Sequence, residues 1–260
     1  MIKKYKGDLG EFQYDDTEFK LVLGGYLRYI GAETDGSKIK IPEGITDCSY
    51  MFHGCTSLLK APEIPTGVTS CYFMFCGCDS LVEAPVIPEG VTNCGCMFHN
   101  CDALLKVPKI PAGVTNCNSM FSGCASLAEA PEISAGVKDC VCMFHNCRSL
   151  VEAPTIPESA TDCYAMFSGC TSLVRAPEIP AGVTNCQAMF FWCDSLVEAP
   201  EIPAEVTDCD CMFNGCSSLQ NYSLDNVISK RNKIYCNCPP IIQEIDSFTQ
   251  KIKERNQLNG

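Results

Sequence analysis

Cysteine and histidine are the residues of this sequence whose types and spacing could hold a metal ion or react. The chain has 22 cysteines and three histidines. Thiolate and imidazole are the usual ligands of structural zinc, so a metal site is the first chemistry to test. Five Cys-X-Cys pairs begin at Cys76, Cys94, Cys140, Cys209 and Cys236. Sixteen cysteines form two series with a spacing of 23 residues, namely Cys48, Cys71, Cys94, Cys117, Cys140, Cys163, Cys186 and Cys209, and Cys55, Cys78, Cys101, Cys124, Cys147, Cys170, Cys193 and Cys216.

The regular spacing argues against a metal site or disulfides. Equivalent side chains of a stacked repeat point in parallel and lie about 4.8 Å apart, whereas zinc needs four converging ligands and a disulfide needs Cβ atoms about 3.8 Å apart. His53, His99 and His145 lie two repeats apart, about 9.6 Å, and are too distant to share an ion. We expect the cysteine series to pack in the core and the histidines to lie on the surface or in turns. We expect no cofactor, and a metal or redox role is the alternative.

Serine also recurs, at Ser57, Ser80, Ser126, Ser149, Ser172, Ser195 and Ser218. A residue repeated at one position of the pattern describes a scaffold rather than a single catalytic site. The chain has no nucleophile elbow and no glycine-rich phosphate loop after a strand. We therefore predict that the protein is not an enzyme.

A strict 23-residue repeat positions all of these side chains. A Met-Phe pair begins at Met51, Met74, Met97, Met120, Met143, Met166, Met189 and Met212, and we number the copies 1 to 8 by these methionines. A fixed period of this length indicates a solenoid, in which each coil packs against its neighbours. Pro108 and Pro111 belong at bends or strand ends. The residues of one copy that we expect to point inward are Val114, Cys117, Met120, Phe121, Cys124, Leu127, Ala130 and Ile133.

The segment VTNCNSMFSGCASLAEAP resembles the leucine-rich repeats of the BspA-like family, whose tandem pattern is V-T-x-M-x-x-M-F-x-x-C-x-S-L. The resemblance covers roughly residues 41–220. It implies a right-handed solenoid with short parallel strands and irregular or 3₁₀ segments, used for binding. The chain is most similar to the short members without a signal peptide, which occur in gut bacteria and their mobile elements.

The predicted fold is a β-rich solenoid of eight 23-residue coils over residues 42–220. Both ends need a cover, since an open end exposes core and unpaired strand edges. Residues 1–41 are predicted to form an N-terminal cap with a β-hairpin around Gly24-Gly25. Residues 221–260 are predicted to form a C-terminal cap with an amphipathic helix, whose alternative role is to dimerise or to bind a partner. The apolar residues at helical spacing are Ile241, Ile242, Ile245, Phe248 and Ile252.

Charge limits the choice of partner and compartment. The net charge is −12, and residues 41–220 carry 6 basic and 20 acidic side chains. Direct binding to nucleic acid or to an anionic membrane is disfavoured, because it needs Lys and Arg, whereas a basic protein partner is permitted. The sequence has no signal-peptide apolar region and no 18-residue apolar run. We expect a cytoplasmic protein with reduced cysteines.

Variation between the copies marks the candidate binding residues. Acidic residues recur two positions after the repeat leucine, at Glu83, Glu129, Glu152 and Glu198. They predict a binding strip, and a solvated charged face is the alternative. In copy 7 the sequence MFFWC places Phe191 and the sole tryptophan, Trp192, where small or polar residues are usual. Tryptophan is enriched in interface hot spots, so this pair is a candidate anchor.

The function predicted from these features is a non-catalytic, protein-binding leucine-rich-repeat scaffold of bacterial or phage origin. One alternative is a phage-type inhibitor whose acidic face blocks a basic, nucleic-acid-binding host protein. A second is a surface adhesin. The sequence leaves open whether the protein is a monomer or a dimer.

Overall fold

The computed structural model of the chain describes residues 1–220. The cap predicted at residues 221–260 and its helix lie outside the described residues. Two antiparallel hairpins begin the chain: β1 (Ile2–Gly7) pairs with β2 (Gly10–Asp15), and β3 (Phe19–Leu21) pairs with β4 (Leu27–Tyr29). A 3₁₀ helix follows at Gly36–Lys38.

The second hairpin is the one predicted around Gly24-Gly25. These two residues have φ angles of 100° and 83°, which glycine adopts without steric cost. The first hairpin was not predicted, because its turn at Asp8-Leu9 lacks the usual two-residue hairpin signal.

The second hairpin packs against the first copy of the repeat. The rings of Phe19 and Tyr29 lie 6.4 and 5.2 Å from the ring of Phe52. The amide of Tyr29 donates to the carbonyl oxygen of Met51 at 2.8 Å. This hairpin therefore covers the buried residues at the N-terminal end of the solenoid.

Successive copies are joined by single parallel bridges rather than by strands. Within residues 42–220, one series of bridges runs through the Asp or Asn position before the first cysteine, as in Asn93↔Asn116. The other runs two positions after the repeat leucine, as in Glu83↔Lys106. The prediction of short parallel strands is corrected to this extent. One reason is that the prolines that follow the second series have no N–H to donate to a ladder.

The segment around each Met-Phe pair, residues 48–54 in copy 1, supplies further bonds between copies; we call it the Met-Phe segment. The alternate amides of Cys48, Tyr50, Phe52 and Gly54 donate to carbonyl oxygens of the next copy at 2.7–3.0 Å. An Asp or Asn side chain begins the segment, as where Asp139 Oδ1 accepts the amide of Val141 at 3.1 Å. Each copy is thus tied to its neighbour through the backbone.

The core consists of identical residues stacked from copy to copy. Rings from Phe52 to Phe213 form a continuous stack with centroids 5.4–5.8 Å apart and planes within 13° of parallel. Such pairs contribute about 0.5–1.5 kcal/mol each beyond the area they bury. The predicted inward set is confirmed, except that Ala130 is partly buried.

Candidate binding surfaces

The second cysteine series explains why the repeat uses cysteine. From copy 2 onwards each of these thiols donates to the carbonyl oxygen of a phenylalanine in the preceding copy. Cysteine is small, apolar and a weak donor, which suits this buried position. The Sγ–O distances are 3.0–3.2 Å for Cys78 to Phe52, Cys101 to Phe75, Cys124 to Phe98, Cys147 to Phe121, Cys170 to Phe144, Cys193 to Phe167 and Cys216 to Phe190.

Burial also suppresses the reactivity of the buried thiols in both cysteine series. It raises the pKa of Cys94, Cys140 and Cys170 to about 12. At neutral pH these groups are therefore protonated, whereas the thiolate is the nucleophile and the metal ligand. Among residues 1–220, no three His, Cys, Asp or Glu side chains come together in a way that could hold a metal ion.

The three histidines lie in turns, as predicted, and each is partly buried rather than exposed. Burial lowers the pKa of His99 and of His145 below the usual range of histidine. The Nδ1 atom of His99 is buried without a hydrogen-bond partner.

The residue before each second-series cysteine adopts a left-handed backbone conformation. Five copies have glycine there, and Asn100 and Asn146 have φ angles of 55° and 59°. Both residue types tolerate this region. Copy 7 has Trp192, with a φ of 57°. The left-handed position of copies 1 to 8 is occupied by Gly54, Gly77, Asn100, Gly123, Asn146, Gly169, Trp192 and Gly215.

Copies 3 to 8 show an alternation at this position. The side chains of Asn100, Asn146 and Trp192 fill the space that a Cβ would need on the glycine of the next copy, which is Gly123, Gly169 and Gly215 respectively. A side chain in one copy therefore requires glycine in the following copy.

The predicted aromatic anchor forms one exposed surface. The rings of Phe191 and Trp192 are stacked with centroids 5.8 Å apart and planes 5° from parallel. Trp192 is 59% exposed, while Phe191 is half-buried. The pair occupies the positions that hold His99-Asn100 in copy 3 and His145-Asn146 in copy 5.

The predicted acidic residues lie in one exposed column, but basic residues alternate with them. Bridges place Lys60, Glu83 and Lys106 in succession, and then Glu129, Glu152, Arg175 and Glu198. The Nζ of Lys106 lies 4.0 Å from Glu83 Oε1. We call these seven residues the charge ladder. Glu129 and Glu152 are the neighbouring pair in it that share the same sign.

An exposed aliphatic column runs beside the charge ladder and was missed as a binding feature. We call it the aliphatic strip, and it consists of the residue after the repeat leucine in copies 1 to 7. The sequence signal was present, since this residue is apolar in all seven copies, but only the charged neighbour was interpreted. The strip comprises Leu59, Val82, Leu105, Ala128, Val151, Val174 and Val197, of which the five exposed large residues are 39–54% accessible.

The backbone holds the aliphatic strip in place. The amide of Leu105 donates to the carbonyl oxygen of Val82 at 2.9 Å, and that of Val174 to Val151 at 3.2 Å. A shallow depression of about 570 Å³ is lined in part by Ala128 and Val151 of the strip. A second, of about 630 Å³, is lined by Arg175 and Glu198 of the charge ladder and by the segments that follow them.

Comparison with known proteins identifies the family of this solenoid. A family model described as the BspA type leucine rich repeat region matches residues 32–151 and 141–256. The chain belongs to the BspA-type leucine-rich repeat family. No curated protein sequence matches it.

Two solved structures of bacterial proteins share the fold. A leucine-rich repeat protein from Bacteroides ovatus is 22% identical with a TM-score of 0.61, over 84% of this chain and 58% of that protein. The chain thus corresponds to little more than half of that protein. The leucine-rich repeat protein of T. pallidum is 20% identical with a TM-score of 0.55, over 90% of this chain and 100% of that one. Both likenesses support a leucine-rich-repeat solenoid.

Proposed function

We propose that this BspA-type protein is a non-catalytic scaffold that binds a protein partner along the aliphatic strip and the charge ladder. Proteins of this repeat family are typically non-catalytic and mediate protein interactions. The observation that carries the proposal is the strip itself. Exposed aliphatic residues on a monomer are usually scattered, whereas a contiguous apolar column with a charged rim is typical of an interaction surface.

The charge ladder supports a partner with at least one basic side chain. Like charges directly opposite one another across a ladder are unfavourable, and Glu129 and Glu152 form such a pair. A cation from the partner placed in the depression between them would remove this repulsion. We therefore propose a partner protein that places a basic group at this point and need not be basic over its whole surface.

The more specific alternatives receive less support. A phage inhibitor that imitates nucleic acid needs a continuous acidic face, but Lys60, Lys106 and Arg175 interrupt the ladder. No observation favours a surface adhesin. We propose a reducing, cytoplasmic location, because the second-series cysteines use their S–H groups as donors and oxidation would remove them. Among residues 1–220, no helix is long and apolar enough to cross a membrane.

Affinity capture from a lysate of the source organism, followed by pairwise binding with the purified partner, tests the strip. The variant Leu105→Glu with Val151→Glu places charge in its centre. We expect it to lose the partner, since burying an unpaired charge at an interface is costly. The matched control is Leu23→Glu, at a fully exposed residue in the turn between β3 and β4, and it should bind normally.

The variant Glu129→Lys with Glu152→Lys tests the sign of the partner's charge. We expect it to weaken binding more than Glu43→Lys with Glu89→Lys, two exposed residues outside the ladder and both depressions with the same change of charge. A partner retained by Leu105→Glu with Val151→Glu would contradict the proposal.

A further inference from the structure

The aromatic pair in copy 7 is a second candidate site that the aliphatic strip does not explain. We propose that Phe191 and Trp192 bind an arginine side chain of a basic peptide or protein segment, which stacks its guanidinium on the exposed indole. This site does not depend on the strip. It rests on the backbone conformation of Trp192, the rigidity of the aromatic pair and the charge around it.

The backbone conformation of Trp192 is the first observation. Every other copy has glycine or asparagine at this left-handed position, and a bulky aromatic residue is an outlier there. Aromatic residues with a positive φ also occur at another position of the repeat, at Tyr50 and Phe73, so the exception in copy 7 is the residue type at this position. Packing alone does not account for the tryptophan, since 59% of it is exposed.

The second observation is that the indole is held in one orientation. The backbone of Trp192 is fixed by its amide, which donates to the carbonyl oxygen of Asn214 at 2.7 Å. Phe191 stacks against one side of the ring system, and its own amide donates to Ala188 at 3.0 Å. The edge of the indole lies over Gly215, which provides the space it needs. A rigid aromatic surface of this kind loses little conformational entropy on binding.

The third observation is the charge of the surrounding sequence. Residues 176–220 carry seven acidic side chains and no Lys, Arg or His. Asp194, two residues after Trp192, is exposed, as is Asp208 in the next copy. A cation is therefore favoured here. Arginine fits better than lysine, because its guanidinium is planar, stacks on aromatic faces and can also donate to carboxylates.

The single tryptophan of the chain makes the test specific, since fluorescence excited at the red edge of the indole absorption, where the nine tyrosines do not absorb, reports on Trp192 alone. The probes are capped tetra-arginine, tetra-lysine and tetra-glutamine peptides, titrated into the full chain at low and at moderate salt. We expect tetra-arginine to change the emission saturably and to bind more tightly than tetra-lysine. Tetra-glutamine should have no effect, and added salt should weaken the binding.

The second measurement uses a variant in which the aromatic pair is replaced by the residues found at the same positions of other copies. Phe191→His with Trp192→Asn gives copy 7 the residues of copies 3 and 5, and thermal unfolding followed by circular dichroism checks that it folds. By isothermal titration calorimetry we expect this variant to bind tetra-arginine about tenfold more weakly. The control Tyr164→Asn, which removes an exposed aromatic residue from the neighbouring copy, should bind normally.

Three results would overturn the inference. The first is an emission that tetra-arginine leaves unchanged. The second is equal affinity for tetra-lysine, which would indicate charge attraction without stacking. The third is unchanged calorimetric binding in the copy-7 variant. Leu105→Glu with Val151→Glu should leave tetra-arginine binding intact, so that failure here is distinguishable from failure of the proposed function.

Discussion

Copies 5 and 7 share one framework and differ in what they present at the surface. Phe144 and Phe190 stack in the same column, and the thiols of Cys147 and Cys193 both donate over 3.1 Å. At the left-handed position the φ angles are 59° and 57°. Copy 5 has His145-Asn146 where copy 7 has Phe191-Trp192. The comparison shows that the framework tolerates a large surface change without altering its own geometry.

Removing a stacked ring tests whether the two frameworks are energetically equal. Phe144→Ala and Phe190→Ala should each lower the free energy of unfolding by about 3–5 kcal/mol, because each leaves a cavity in a closely packed column. Urea unfolding followed by circular dichroism measures both. Losses that differ by more than their error would show that the surface pair of copy 7 influences the core.

Removing a thiol donor has the next largest effect. Cys147→Ala and Cys193→Ala each remove one of two donors to a buried carbonyl oxygen. The other donor, a backbone amide of the preceding copy, remains, so the expected cost is about 0.5–1.5 kcal/mol. Serine at either position should restore part of the loss, since its hydroxyl group also donates. If alanine and serine are equally destabilising in urea melts, the thiol bond contributes nothing and packing alone explains the cysteines.

Exchanging the left-handed residues tests the strain at Trp192. Trp192→Asn should raise the free energy of unfolding by about 1 kcal/mol, because asparagine tolerates this conformation better. Asn146→Trp should lower it by a similar amount. Destabilisation by Trp192→Asn would mean that contacts with Phe191 and Gly215 outweigh the strain.

The smallest expected difference between copies 5 and 7 is their contribution to the pH dependence of the free energy of unfolding. Burial lowers the pKa of His145, so the unfolded chain binds the proton first. Stability should therefore fall as the pH drops below about 6.5, the usual pKa of histidine. His145→Phe, which copies position 191, should reduce this slope in urea melts between pH 7 and 5. An unchanged slope would contradict a contribution from His145.

Much of the framework could be predicted from residue types and spacing. The period identified the solenoid, and the unvarying apolar positions identified the inward set, because only stacking demands the same residue in each copy. The packing role of the cysteines followed from the same argument. Their bonds to carbonyl oxygens could not be predicted, since that requires the offset between adjacent copies.

The candidate site was predictable only in part. Phe191 and Trp192 stood out as exceptions to the repeat, but the strain at Trp192 depends on a backbone angle that residue identity does not reveal. The acidic residues were correctly placed in one column. The column was interpreted as a binding strip that is acidic at most positions, with isolated basic residues. That interpretation rested on charge and gave no weight to Leu59, Val82 and Leu105 in the adjacent column.

The alternation of side chain and glycine from copy 3 onwards has a consequence for how such an array evolves. Loss of 23 residues corresponding to copy 6 would bring Asn146 against Trp192, where a glycine is needed. Loss or duplication of 46 residues would keep each bulky residue beside a glycine. Loss of copy 5 alone would instead leave Gly123 beside Gly169, the arrangement that Gly54 and Gly77 already have. In this part of the gene, we therefore expect single copies with glycine at this position to be lost less readily than single copies with a bulky residue or pairs of copies.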